Sequence, residues 1–184
     1  NSSTAAASGY ARQEAAKNVV DLMQNIGFKE IDVSSYEGKP TRYSIAEAIG
    51  QKQIKDHSQE YTLIAVAIRG GGYEKEWASN VSVFSDIEHQ GFSLAANDVM
   101  NDLLQYINQY VDDTAHIKLW ITGYSRGAAV ANLMSAKLSQ QLKNGNLGNL
   151  SIDQNDIYTY TFATPMSRAA DGYSISTIDS NIFN

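Results

Sequence analysis

The chain has 184 residues, of which 43% are hydrophobic, and a formal charge of −6, which fits one domain with a core of its own. It lacks a Lys/Arg cluster, which argues against a nucleic-acid partner, and it lacks cysteine, which excludes disulfides and cysteine-held metal sites. No apolar stretch approaches the roughly 20 residues of a membrane span, and the first ten residues lack the features of a signal peptide. Secreted bacterial and cytoplasmic locations both fit.

The first sixty residues predict a helix followed by short strands. From 11 to 26 apolar residues recur at spacings of three and four, which is typical of an amphipathic helix, and Gly27 is a suitable stop. Residues 28–33 alternate apolar and polar, as a half-buried strand does. A turn is expected over 35–42, and a short strand over 51–54, with an ambiguous segment between them.

From residue 61 onward, strands and long helices alternate. Residues 61–68 (YTLIAVAI) are almost continuously apolar, which favours a central strand covered on both faces. Strands are predicted over 61–68, 81–84 (an edge strand), 117–121 and 157–162, and helices over 92–111 and 128–142. This order predicts βαβ units and a mainly parallel sheet, hence an α/β fold.

The segment GYSRG, residues 123–127, lies between a predicted strand and a predicted helix. This is the context of a nucleophile elbow, in which a sharp turn lifts the serine above the sheet. Gly123 and Gly127 avoid crowding in such a turn, and the backbone N–H of Arg126 at the helix N-terminus can stabilise an oxyanion. The motif predicts that Ser125 is a nucleophile; the alternative is a serine that falls by chance between two glycines.

Four segments together resemble the class 3, or fungal-type, lipases of the α/β-hydrolase fold. AVAIRGGGYEKEWASN resembles the family's strand, Arg-Gly and Trp segment, and EHQGFSLAANDVMNDLLQYI resembles its His-x-Gly-Phe start of a long helix. LWITGYSRGAAVANLMSAKL resembles its nucleophile elbow, and IYTYTFATP its next strand. The match spans residues 61–165 in the family's order, whereas the first sixty residues match only loosely.

The resemblance implies hydrolysis of carboxylic esters, with a lipid or another acyl ester as substrate. It assigns the nucleophile to Ser125 and the oxyanion hole to the backbone N–H groups of Gly71 and Arg126. It also implies a lid over residues 71–83, in which Trp77 is either the apolar face or a core residue, and it favours secretion slightly. Family elbows often read His before the serine and Leu-Gly after it, so the Tyr-Ser-Arg of this chain suggests a smaller or more polar substrate.

The partners of the serine are missing from their expected place. In α/β hydrolases the acid and then the histidine follow the nucleophile, yet His57, His89 and His116 all precede Ser125. The aspartates that do follow are expected at the wrong end of a strand or in surface turns: Asp153, Asp156, Asp171 and Asp179. The resemblance gives His89 a packing role near the site, while His57 and His116 look like exposed loop residues. No residue spacing predicts a metal or a cofactor.

Truncation is the simplest account of the missing partners. We therefore expect residues 1–184 to be one lipase-like domain that lacks its last strands and a helix, with the acid and histidine beyond Asn184. This chain alone should then be inactive, and its exposed sheet edge should promote self-association. Two alternatives stay open: other acyl chemistry on the same elbow (thioester hydrolysis, peptide cleavage or acyl transfer), and a non-catalytic hydrolase-like module that binds a lipid or a protein.

Overall fold

A computed structural model describes residues 2–37, 45–70, 86–145, 150–164 and 182–183. Its helices are α1 (Ser2–Asn25), α2 (Asp86–Tyr110) and α3 (Arg126–Lys143), and its strands are β1 (Lys29–Asp32), β2 (Glu47–Asp56), β3 (Gln59–Ile68), β4 (Ile117–Tyr124), β5 (Ile157–Phe162) and β6 (Ile182–Phe183). Short 3-10 helices cover Ser34–Glu37 and Gln154–Asp156. The predicted lid over 71–83 and the predicted strand over 81–84 lie outside the described residues.

The six described strands form one sheet in the order β1-β2-β3-β4-β5-β6. The first two pairings are antiparallel, and the pairings β3–β4, β4–β5 and β5–β6 are parallel. The mainly parallel α/β architecture is therefore confirmed. β3 has a neighbour on each side, which agrees with its continuous apolar sequence.

Helices α2 and α3 connect the parallel strands and cover the same face of the sheet. Three alternate residues of β3, Ile64, Val66 and Ile68, join one core with residues of α2 and α3. A hydrogen bond of 2.5 Å between the buried hydroxyls of Ser135 and Thr159 links α3 to β5. The core thus holds α3 directly behind β4 and sets the position of the corner between them.

Helix α1 covers part of the opposite face. Met23 and Phe28 are buried there against Ala48 and Ala65 of the sheet. Gly27 has a φ of +91°, a backbone conformation that suits glycine, and the helix ends just before it as predicted.

Several sequence predictions need correction. The separate segments around residues 44–54 form one ten-residue strand, β2, which pairs with β3 along its whole length. Leu22 and Leu94 belong to the apolar sides of the helices predicted over 11–26 and 92–111, and such sides are expected to face the core. Leu22 is nevertheless 67% exposed and Leu94 49% exposed. The sheet and its neighbouring helices cover only part of each apolar stripe.

Candidate active site

Ser125 occupies the corner between β4 and α3. Its φ of 52° and ψ of −120° lie in a region that non-glycine residues rarely adopt, and its side chain makes no capping hydrogen bond to the helix. The Ser125 N–H donates to the carbonyl oxygen of Phe162 at 2.9 Å, which ties the corner to the end of β5. Strain of this kind persists only where the surroundings enforce it, and it concentrates at functional sites.

The two glycines of GYSRG are required by close backbone packing. A Cβ at Gly123 would lie 2.5 Å from the carbonyl carbon of Gly127 and 2.8 Å from the nitrogen of Ala128. A Cβ at Gly127 would lie 2.9 Å from the carbonyl oxygen of Arg69, at the end of β3. Since these neighbours are backbone atoms, they cannot rotate away. The chain therefore makes a turn that only glycine allows on both sides of Ser125.

The first turn of α3 follows Ser125 directly. Arg126 is the first residue of the helix, so its N–H belongs to a helix N-terminus, where negative charge is favoured. Gly70 packs against this corner, because a Cβ there would lie 2.8 Å from the carbonyl oxygen of Tyr124. Gly71, the second predicted oxyanion donor, lies outside the described residues.

The histidines whose side chains are described lie at the other end of the sheet. His57 is exposed in the turn between β2 and β3, 3.0 Å from the carboxylate of Asp56. His116 precedes β4, and its Nδ1 lies 2.8 Å from the hydroxyl of Ser151. The parallel strands begin there, whereas Ser125 follows the end of β4. Both histidines are therefore remote from Ser125, and the side chain of His89 lies outside the described residues.

The described acidic residues after Ser125 also serve another part of the fold. Asp153 caps the 3-10 helix that precedes β5, and Asp156 accepts a hydrogen bond of 3.0 Å from the Lys118 ammonium. Both stand at the amino end of β5, as predicted. Asp171 and Asp179 lie outside the described residues. Within the described ranges, no group of three or more His, Cys, Asp or Glu residues is arranged to hold a metal ion.

The charged cluster around Lys118 is a feature that sequence reasoning missed. Lys118 is only 8% exposed, and its ammonium lies 3.0 Å from Asp156, 3.5 Å from Asp56 and 4.4 Å from the centre of the Tyr61 ring. Burial lowers the pKa of Lys118, but the interactions of its ammonium with Asp156 and Tyr158 together outweigh this effect, so the pKa is raised. Its only sequence signal is a lysine in an otherwise apolar strand.

These observations define the class of protein. A strand–serine–helix corner with a strained serine and two tightly packed glycines, set on a mainly parallel sheet with helices, is typical of the α/β-hydrolase fold.

In the described part of the chain, none of the helices is both long enough and apolar enough to cross a membrane.

Comparison with known proteins gives the family. The sequence matches the family Lipase (class 3) over residues 65–171, which is more than half of the chain. The chain belongs to the class 3 lipase family. This confirms the resemblance carried by the four sequence segments, and it agrees with the α/β-hydrolase fold. Comparison with curated protein sequences gave no significant match.

Solved structures of fungal lipases resemble parts of this fold. The native Rhizomucor miehei lipase propeptide complex has a TM-score of 0.47 at 19% identity and is matched over 75% of this chain and 41% of that one. A lipase from Rhizopus microsporus var. chinensis has a TM-score of 0.45 at 21% identity, over 75% of this chain and 44% of that one. The chain spans less than half the length of these lipases.

Proposed function

We propose that the protein is a serine hydrolase of carboxylic esters, of the lipase or esterase type, with Ser125 as its nucleophile. The observation that carries the proposal is the backbone of Ser125, with a φ of 52° at the junction of β4 and α3. A position that would suit glycine is instead occupied by a residue with a hydroxyl, and GYSRG supplies glycine where the packing requires it. Family membership supports the same reaction class.

The proposed reaction proceeds through an acyl-enzyme. The Ser125 Oγ attacks the ester carbonyl carbon while a histidine takes its proton, and the carbonyl oxygen becomes an oxyanion. The N–H groups of Arg126 and Gly71 would donate to that oxyanion. The alcohol leaves with the proton returned by the histidine, and water then attacks the acyl carbon and releases the acid. Neither the histidine nor the acid of the triad is assigned to a described side chain.

A non-catalytic binding module is the second candidate. The specific observation in its favour is the position of His57 and His116, which lie at the amino ends of the parallel strands, away from Ser125. In that case Ser125 would keep the strained backbone of the fold without taking part in a reaction. Other acyl chemistry on the same elbow, such as thioester hydrolysis, would keep Ser125 as nucleophile. Comparing the rates of hydrolysis of acyl esters, thioesters and amides distinguishes these reactions.

Reaction of the full-length protein with a fluorophosphonate probe tests the proposal. Such probes phosphonylate activated serines, and mass spectrometry identifies the modified residue. Labelling at Ser125 that disappears in Ser125→Ala is the expected result. Ser151→Ala is the matched control. Ser151 lies 2.8 Å from the ring nitrogen of His116, at the end of the sheet away from Ser125, so this change should not affect labelling. A folded full-length protein that shows no labelling at Ser125 would refute the catalytic proposal.

Self-association through a sheet edge stays a prediction. The outermost described strand on one side is β1, which is short and rich in charge (KEID) and has Glu30 at a φ of 49°; such features discourage edge pairing. The opposite outer strand of the described sheet, β6, contains Ile182 and Phe183. We therefore assign self-association of the 184-residue chain to the β6 side. Size-exclusion chromatography of this chain should show oligomers that Ile182→Lys disperses.

A further inference from the structure

An open cavity of about 610 Å³ lies between the C-terminal end of helix α2 and the strands β1 and β2. Cavities that bind small molecules have volumes of about 300–1,000 Å³. We call this cavity the helix-end groove. The residues that line it include Lys29, Glu30, Gln51, Gln53, Tyr110 and Asp112.

The helix-end groove is remote from the candidate nucleophile. Thr62 also lines the groove, and it is the register partner of Ile117 at the start of β4. Ser125, in contrast, follows the last residue of β4. A strand rises about 3.3 Å per residue, so the two positions are roughly 25 Å apart along the sheet. A small ligand in the groove would therefore not contact Ser125.

Hydrogen bonds hold the two glutamine side chains of the groove in place. The Nε2 of Gln51 donates to the carbonyl oxygen of Tyr110 at 2.8 Å. The Nε2 of Gln53 donates at 3.0 Å to the hydroxyl of Thr62, a residue that is only 4% exposed. Because both amides are already restricted, less conformational entropy is lost when they bind a ligand.

Tyr110 adds an aromatic ring to the groove. The residue is 38% exposed, and its ring packs on that of Tyr106 with the centroids 5.0 Å apart. The Tyr106 hydroxyl donates to the carbonyl oxygen of Glu30 at 2.8 Å. Glu30 has a φ of 49°, and the register of β1 and β2 shifts around it. Strand irregularities and strained residues of this kind are frequent beside binding sites.

The charged residues that line the groove balance each other. Lys29 and Lys52 stand against Glu30 and Asp112. A hydrogen bond from the Thr114 hydroxyl lowers the pKa of Asp112, so that its carboxylate is ionised at neutral pH. A balanced set of charges does not favour a ligand with a large net charge of either sign.

We propose that the helix-end groove binds a neutral oligosaccharide. A sugar ring has C–H groups on its face, which pack on an aromatic ring, and hydroxyl groups at its edge, which both donate and accept hydrogen bonds. Tyr110 matches the face of the sugar, and the amides of Gln51 and Gln53 with the carboxylate of Asp112 match its hydroxyls. This binding activity is independent of the proposed hydrolysis.

Titration calorimetry and saturation-transfer NMR of the full-length protein test the proposal. The probes are cellohexaose, maltohexaose and the hexamer of N-acetylglucosamine, which are uncharged and differ in linkage and substituents. At least one of them should bind. Tyr110→Ala should weaken that binding about tenfold, because it removes the stacking surface, whereas Tyr110→Phe should bind within about twofold of the wild type. Gln53→Ala should weaken binding about fivefold through the loss of a hydrogen bond.

Control measurements separate the possible outcomes. Tyr10→Ala removes a 75% exposed tyrosine of helix α1 that does not line the groove, so it should leave binding unchanged. The proposal is overturned if no hexamer binds the folded wild type with a Kd below about 5 mM. It is also overturned if Tyr110→Ala binds as tightly as the wild type. If that variant loses both binding and melting temperature, Gln53→Ala decides, and wild-type affinity in a folded Gln53→Ala would reject the groove. Binding is measured without an ester, so failure of the hydrolase proposal would not affect this test.

Discussion

Replacing Gly123 with alanine tests the backbone packing that shapes the corner around Ser125. The added Cβ would lie 2.5 Å from the carbonyl carbon of Gly127 and 2.8 Å from the nitrogen of Ala128. Non-bonded carbon atoms prefer separations of about 3.5–4.0 Å, so the methyl group would be at least about 1 Å too close. A Cβ has no rotamer, and the end of β4 must therefore move away from the start of α3.

The expected loss of stability follows from two opposing effects. Overpacking of a well-packed site costs about 1–3 kcal/mol, and a contact with backbone on both sides belongs at the upper end. Alanine also reduces the freedom of the unfolded chain, which stabilises the protein by about 0.4–1 kcal/mol. The net loss should be about 2 kcal/mol. For a domain of this size that lowers the melting temperature by about 4–8 °C.

Thermal unfolding followed by circular dichroism measures this change, and the fluorophosphonate reaction reports on the corner itself. Gly123→Ala should also slow labelling of Ser125, because the hydroxyl moves with the backbone. Gly9→Ala is the control: it lies in helix α1, and a Cβ there has nothing within 4 Å. That variant should be more stable by up to about 1 kcal/mol, since alanine favours helix. If Gly123→Ala melts with the wild type and labels at the same rate, the close-packing argument is wrong.

Further predictions concern the ion cluster and the core. Lys118→Ala should lower the free energy of unfolding by about 3 kcal/mol, because Asp156 loses its cationic partner and a packed alkyl stem is removed. Lys118→Met keeps an unbranched side chain and should lose less stability; urea titration measures both variants. Because the pKa of Lys118 is raised above its usual 10.5, its stabilising effect is complete below that pH and is lost at higher pH. The stability gap between wild type and Lys118→Met should therefore be constant from about pH 7 to 9 and shrink in strong alkali; a gap that grows would contradict this sign. Leu138 is 1% exposed, so Leu138→Ala should lower the free energy of unfolding by about 2–5 kcal/mol. Leu22→Ala, at an exposed residue, should change it by less than about 0.5 kcal/mol. Equal losses of stability would refute the burial assignment.

The local pattern of the sequence determined the order and type of most elements. Residues 157–162 were predicted as a strand with the bounds that the structure has, and the strand of 61–68 lies centrally as predicted. The turn at Gly27 and the position of the corner at Ser125 could also be predicted, because the positive φ of Gly27 and the contact of Gly123 with Gly127 are local, whereas the contact of Gly127 with Arg69 joins segments that are distant in the chain. Such features depend on backbone geometry and side-chain period, both of which are encoded locally.

Tertiary structure alone decided which apolar residues are covered. Leu22 and Leu94 have the spacing of core residues and yet are exposed, while Lys118 is buried. Phe162 belongs to the same alternating strand as buried Ile157, but it lies on the opposite face of the sheet, where it and Tyr160 are exposed. The physical reason is that burial depends on what distant segments place over each face. The sequence therefore identified the candidate nucleophile, and only the packing of the sheet decided which residues around it are covered.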